Sequence, residues 1–161
     1  MQNQNSIRSI FISLFVVGII FLLGCRNHID SEMVKNEIVS LLQQERTAHI
    51  EKNAAMFLSR FDSNFILVNM GEVNPYDPTA FRQHFDHYLQ SSDFIKWDDT
   101  QNPIIKISDD GTMAYAIVQK LVILKNKSEN DRIDTTHFAW VSIYTKKNNE
   151  WKLVCNASTK R

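Results

Sequence analysis

Between Ser31 and Lys52, apolar side chains return at Val34, Ile38, Leu41, Leu42 and Ala48. This three-and-four spacing lays one stripe along a helix. Asp30 or Ser31 is placed to accept the first free backbone N–H groups as N-cap. A second, short helix is expected from Asn53 through Met56, Phe57 and Leu58 to Arg60, ended by Asp62-Ser63-Asn64. The pattern then changes to alternation. Phe65 to Asn69 reads as a strand, Gly71 as a turn, and Glu72 to Asn74 as a short return strand. Asp77-Pro78 is a cap followed by a first-turn proline, and it opens a third helix with Phe81, Phe85, Tyr88 and Leu89 on one side.

Beyond that helix the chain is all strand and turn. The expected strands are Phe94 to Thr100, Ile104 to Ser108, Met113 to Lys125, Arg132 to Lys146 and Glu150 to Ser158. Asn102-Pro103, Asp109-Asp110-Gly111, a polar loop and Lys147-Asn148-Asn149 separate them, so the second half should form an antiparallel sheet. Met113 to Lys125 is apolar at both alternating sets of positions. It is therefore expected mid-sheet, covered on each side.

The first 25 residues follow a different rule. A polar start with one cation, Arg8, leads into fourteen largely apolar residues from Ile10 to Leu23. As a helix this run rises about 21 Å, short of the roughly 30 Å hydrocarbon core, so it has the anatomy of a signal peptide and not of a membrane span. It ends in Leu22-Leu23-Gly24-Cys25, which resembles the lipobox at which bacterial lipoproteins are acylated and cleaved. The resemblance implies a signal peptide over residues 1–24, lipidation of Cys25, a short tether over 25–30 and one exported domain over 31–161. The membrane would then be a partner through the lipid, and the address the cell envelope. Arg26 stands where an aspartate would signal inner-membrane retention, which points to the outer membrane where there is one.

Composition narrows the function. Eighteen basic and eighteen acidic residues balance, and removal of Arg8 with the leader leaves 17 against 18. Only the pairs Lys146-Lys147 and Lys160-Arg161 are locally basic, so no nucleic-acid surface is expected. Ten phenylalanines and three tryptophans against four glycines and three prolines indicate a filled core. After lipidation Cys155 is the one unmodified cysteine, so no intramolecular disulfide can form.

The order helix, short helix, strand pair, helix and long antiparallel strands is that of the cone-shaped NTF2-like, or cystatin-like, α+β fold: a curved antiparallel sheet wrapped around a long N-terminal helix. Phe57-Leu58-Ser59-Arg60-Phe61, Asn64-Phe65-Ile66-Leu67-Val68 and Gly71-Glu72-Val73 resemble the second helix, first strand and turn of SnoaL-like and DUF4440-like members. Tyr144-Thr145-Lys146-Lys147 with Glu150-Trp151-Lys152-Leu153-Val154 is similar to their closing hairpin. The resemblance implies an apolar pocket in the cone, used by some members for ketosteroid-isomerase or polyketide-cyclase chemistry, by others for binding, and by others only for assembly. Isomerase chemistry needs a carboxylate base. Alignment on the resemblance puts Asn69 at that position, and an amide does not take a proton at neutral pH. Many DUF4440-like proteins carry a histidine and a serine six and eight residues after the hairpin tryptophan, where this chain has Ala157 and Thr159.

Asn69, Trp97, Tyr115, His137 and Trp140 are accordingly the candidate pocket residues. The tryptophans and Tyr115 would supply an aromatic lining, and His137 is the candidate acid or base, although a packing role is the plainer expectation. His49 is expected at a solvated helix end in preference to the cone mouth. Cys155 shares period-two parity with Trp151 and Leu153 and is expected buried. Asp98 and Asp99, as strand neighbours, should face opposite ways and form no dyad, and His84 and His87 alone give too few ligands for a metal. The expected protein is a lipid-tethered NTF2-like domain that binds a small apolar or amphipathic molecule, needs no cofactor and pairs as a homodimer. Two alternatives stand beside it: an isomerase-type enzyme with a non-standard base, and a dimerising accessory subunit of an envelope complex.

Cys25→Ser should abolish incorporation of a fatty acid in metabolic labelling, because a hydroxyl is not the acceptor in lipobox processing. Label retained by the serine variant would contradict the lipobox assignment.

Overall fold

The computed structural model describes residues 30–161, so the leader and Cys25 lie outside the described residues. Among the described residues no helix is long and apolar enough to cross a membrane. Helix α1 (Ser31–Ile50) begins at Asp30, whose carboxylate accepts from the amides of Glu32 and Met33 at 3.1 and 3.0 Å. Its buried residues Val34, Ile38, Leu42, Glu45, Ala48 and His49 form the stripe the spacing requires. Helix α2 (Ala54–Leu58) is one short turn capped by Asn53, and α3 (Pro78–Ser91) starts from an Asp77 cap with Pro78 in the first turn.

Among the described residues seven strands form one sheet: β1 (Phe61–Asn69), β2 (Glu72–Pro75), β3 (Ser92–Asp99), β4 (Ile104–Ile107), β5 (Met113–Asn126), β6 (Arg132–Lys147) and β7 (Glu150–Lys160). The order is β2-β1-β7-β6-β5-β3, with β4 also on β5. β5 serves two partners along one edge, pairing Ala114 to Ile117 with β4 and Lys120 to Asn126 with β3. β1 and β7 run parallel, the one exception to the expected antiparallel pairing. Register shifts in the β1–β7, β3–β5 and β6–β7 pairs break the ladder locally, and such bulges bend a sheet.

The concave face takes the stripe of α1. Val34, Ile38 and Leu42 share one core with Phe65, Trp97, Ala114, Ala116, Val118, Trp140 and Tyr144. The two alanines leave β5 small where this core is fully buried. Glu37 fastens α1 to the β6–β7 hairpin, accepting from Trp151 Nε1 at 2.6 Å and Lys146 Nζ at 3.1 Å. A second cluster, Ala54, Phe85 and Leu89, seats α3 on α2.

Three expectations need correction. Asp62-Ser63-Asn64 does not end a helix but lies in β1, where buried Asp62 accepts from the Asn64 amide at 3.0 Å and Lys147 Nζ at 2.6 Å. β5 is covered on one face only: Ala114, Ala116, Val118, Lys120 and Val122 are buried, while Met113, Tyr115 and Ile117 are exposed. Cys155 is half-buried and faces outward. Leu153 pairs with Tyr144 and Cys155 with Ile143, so two steps on β7 match one on β6, and the bulge reverses the parity from Val154 onward.

Candidate functional site

The inner end of α1, α2, α3 and the concave sheet line a cavity of about 240 Å³. Its wall is mostly aromatic because five elements each contribute inward rings: Phe57 from α2, Phe81, Phe85 and Tyr88 from α3, Phe61 and Phe65 from β1, Trp97 from β3, and Phe138 and Trp140 from β6. Asn156 and Ser158 of β7 add small polar groups, and Asn156 Nδ2 donates to Ser142 Oγ at 3.0 Å. The indole N–H groups of Trp97 and Trp140 are buried without a hydrogen-bond partner among the described residues. A wider hollow of about 920 Å³ lies between the first half of α1 and the β6–β7 hairpin, but it is open and bordered by solvated side chains such as Glu32, Asn36 and Gln44.

His49 lines this cavity. It is 3% exposed, and its ring lies flat on Trp97 with centroids 3.6 Å apart, while Phe57, Phe85 and Phe94 present edges at 5.1–5.5 Å. Nδ1 stands 2.8 Å from the Glu45 carbonyl oxygen. A carbonyl only accepts, so Nδ1 carries the proton and Nε2 keeps its lone pair. Burial disfavours the imidazolium, and the charges of Arg60 and Lys120 disfavour it further, pushing the pKa down to about 3. His49 is neutral at physiological pH.

Three charged side chains surround this ring. Glu45, one turn before His49, has its pKa raised by burial against the opposing pull of Arg60 and Lys120. Arg60 is 5% exposed: Nε donates to the Phe57 carbonyl at 3.4 Å, Nη1 donates to the Leu41 carbonyl, and Nη2 stands 4.0 Å from Glu45. The guanidinium also lies 5.2 Å from the Phe57 ring centre. Lys120 projects from the middle of β5, 2% exposed, and pairs with Asp99 at 2.5 Å.

No family model matches the chain, and no curated protein matches it in sequence. Solved structures do resemble it. An NTF2-like superfamily protein from Salmonella enterica superposes with a TM-score of 0.68 at 13% identity, over 80% of this chain and 92% of that one. An NTF2-like protein from Cytophaga hutchinsonii gives 0.64 at 10% identity, over 79% and 98%. A protein of unknown function with a cystatin-like fold from Nostoc punctiforme gives 0.57 at 16% identity, over 79% and 90%. The fold is NTF2-like.

Within this NTF2-like cone the five candidate residues separate. Trp97 and Trp140 come together in the cavity wall. Asn69 continues the inward set of Phe65 and Leu67 but stands two residues further out, in a separate cleft with Met70, Gly71 and Thr159 that shares only Phe138 and Ser158 with the cavity. Tyr115, 40% exposed, lies on the convex face. His137 is exposed too, because Phe138 and Trp140 take the inward parity and leave it the outward one. Its backbone pairs with Arg161 at the rim of the sheet. His49, expected in solvent, is the buried histidine, and exposed His84 and His87 border none of the cavity. Asp98 and Asp99 form no dyad, since Arg46 takes the first at 3.1 Å and Lys120 the second.

Glu45, Arg60 and Lys120 are the site residues that pattern reading passed over. Two of them left a trace in the sequence. Glu45 interrupts the apolar stripe between Leu42 and Ala48, and Lys120 stands in register with Ala114, Ala116, Val118 and Val122. A charge on a buried parity is a signal in itself. Arg60 left no such trace, since it lies between two elements where periodicity is undefined.

Proposed function

We propose that this chain is a lipid-tethered NTF2-like domain whose cone cavity binds a small apolar or amphipathic molecule. The observation that carries the reading is the aromatic cavity lined by Trp97 and Trp140, whose buried indole N–H groups have no partner among the described residues. Concave sites walled by apolar rings with a few convergent polar groups are the usual form of small-molecule sites. At about 240 Å³ the cavity lies under the roughly 300–1,000 Å³ of drug-sized pockets, which favours a ligand with a body near one ring in size. The isomerase-type alternative loses His137 as its base, because that side chain does not reach the cavity. The lipid on Cys25 would keep this binding site at the membrane, since residues 26–29 allow little reach.

Self-association belongs to the same proposal. The register aligns Ile117, Val141, Ala157, Val68 and Val73 across the convex face, beside Tyr115, Ile143, Cys155 and Ile66. Ile104, Met113 and Ile117 are exposed there, and apolar patches of this kind mark association surfaces.

Toluene and indole should raise the thermal midpoint of residues 26–161, contributing about 1.4–2.7 kcal/mol at ten- to a hundredfold excess over Kd. Ser158→Trp, which places an indole at the cavity wall, should remove the effect. No shift with either probe, or a shift that survives in the tryptophan variant, would contradict binding in the cone. In sedimentation equilibrium the same domain should be a dimer at micromolar concentration and Ile117→Lys a monomer. A wild-type monomer at high concentration would contradict pairing through the convex face.

A further inference from the structure

The charges inside the cone are unevenly paired. Lys120 is neutralised by Asp99 at 2.5 Å. Arg60 has only Glu45, whose carboxylate oxygen stays 4.0 Å from Nη2 and makes no hydrogen bond with it. Nη2 has no hydrogen-bond partner among the described residues, and a guanidinium cannot shed its charge by losing a proton. Burial raises the pKa of Glu45 against the opposing pull of Arg60 and Lys120, so this loosely placed carboxylate is itself costly to charge. What remains is a buried, loosely paired cation bordering an apolar cavity.

We infer that the cavity takes a small amphipathic monocarboxylate, whose carboxylate lies against Arg60 and whose apolar body packs among Phe57, Phe85 and Trp97. This rests on the proposed binding function and names the ligand's chemical class. Arg60 is the one loosely paired cation of the two, so a monoanion fits better than a dianion. A planar guanidinium matches a carboxylate in particular. An organic ammonium is disfavoured, because Arg60 and Lys120 would both repel it.

Calorimetric titration of the full-length chain in nanodiscs with 4-phenylbutanoate, its neutral amide and 4-phenylbutylamine tests the assignment. The acid should bind at least about tenfold more tightly than the amide, and the amine should bind more weakly than the amide. Arg60→Met should bring acid and amide within about twofold while amide binding persists. Should that variant not fold, Arg60→Lys retains the charge without the planar fork and should keep only part of the preference. Equal binding of acid and amide by the wild type would overturn the carboxylate inference and leave the apolar-pocket reading intact. Binding of none of the three would overturn both.

Discussion

The inner end of the cone depends on one contact, the stacking of His49 on Trp97. The imidazole arrives from the last turn of α1 and the indole from β3, so this contact fixes how far the helix reaches along the sheet. The rings of Phe57 and Phe85, from α2 and α3, then close on the edges left free. Such an enclosure accepts imidazole only in its neutral form. A protonated ring would be a third buried cation beside Arg60 and Lys120, with its solvation replaced by hydrocarbon. The Glu45 carbonyl selects the tautomer and turns the remaining lone pair away from the helix backbone.

Stability alone would fill such a place with leucine and phenylalanine. Glu45, Arg60 and Lys120 bring charge into it instead, and only the Lys120–Asp99 pair is closely compensated. Buried groups of this kind concentrate where a protein recognises something, because local rules are broken where function requires it. Position in the fold assigns their roles. Lys120 is locked in a strand, whereas Arg60 sits at the junction of α2 and β1, anchored through the Phe57 and Leu41 carbonyls with one nitrogen left over.

Much of the architecture could be read from pattern. The stripe of α1, the Asp77-Pro78 start of α3 and the Asn148-Asn149 turn, both of whose residues adopt positive φ, are local features and stand where the sequence put them. Parity over long strands was less transferable. A bulge near Val154 turned Cys155 outward, and an uncovered convex face took Tyr115, because neither the register of a distant partner nor the absence of a covering layer is written locally. His137 failed for a simpler reason: Trp140 is expected inward, and period two then puts His137, three residues before it, on the opposite face. His49 was misjudged because a helix end was equated with solvent, whereas α3 folds over it.

The central claim is that a neutral His49 is sealed in an aromatic box, and the direct test is a pH titration of its ring nitrogens by NMR. Nδ1 should be protonated and Nε2 unprotonated, unchanged from pH 7.5 down to about pH 5, with protonation of Nε2 only as the pH approaches about 3. A His49 that becomes doubly protonated near its ordinary value of 6.5 would show that the ring is solvated and that the aromatic box around it does not exist as described.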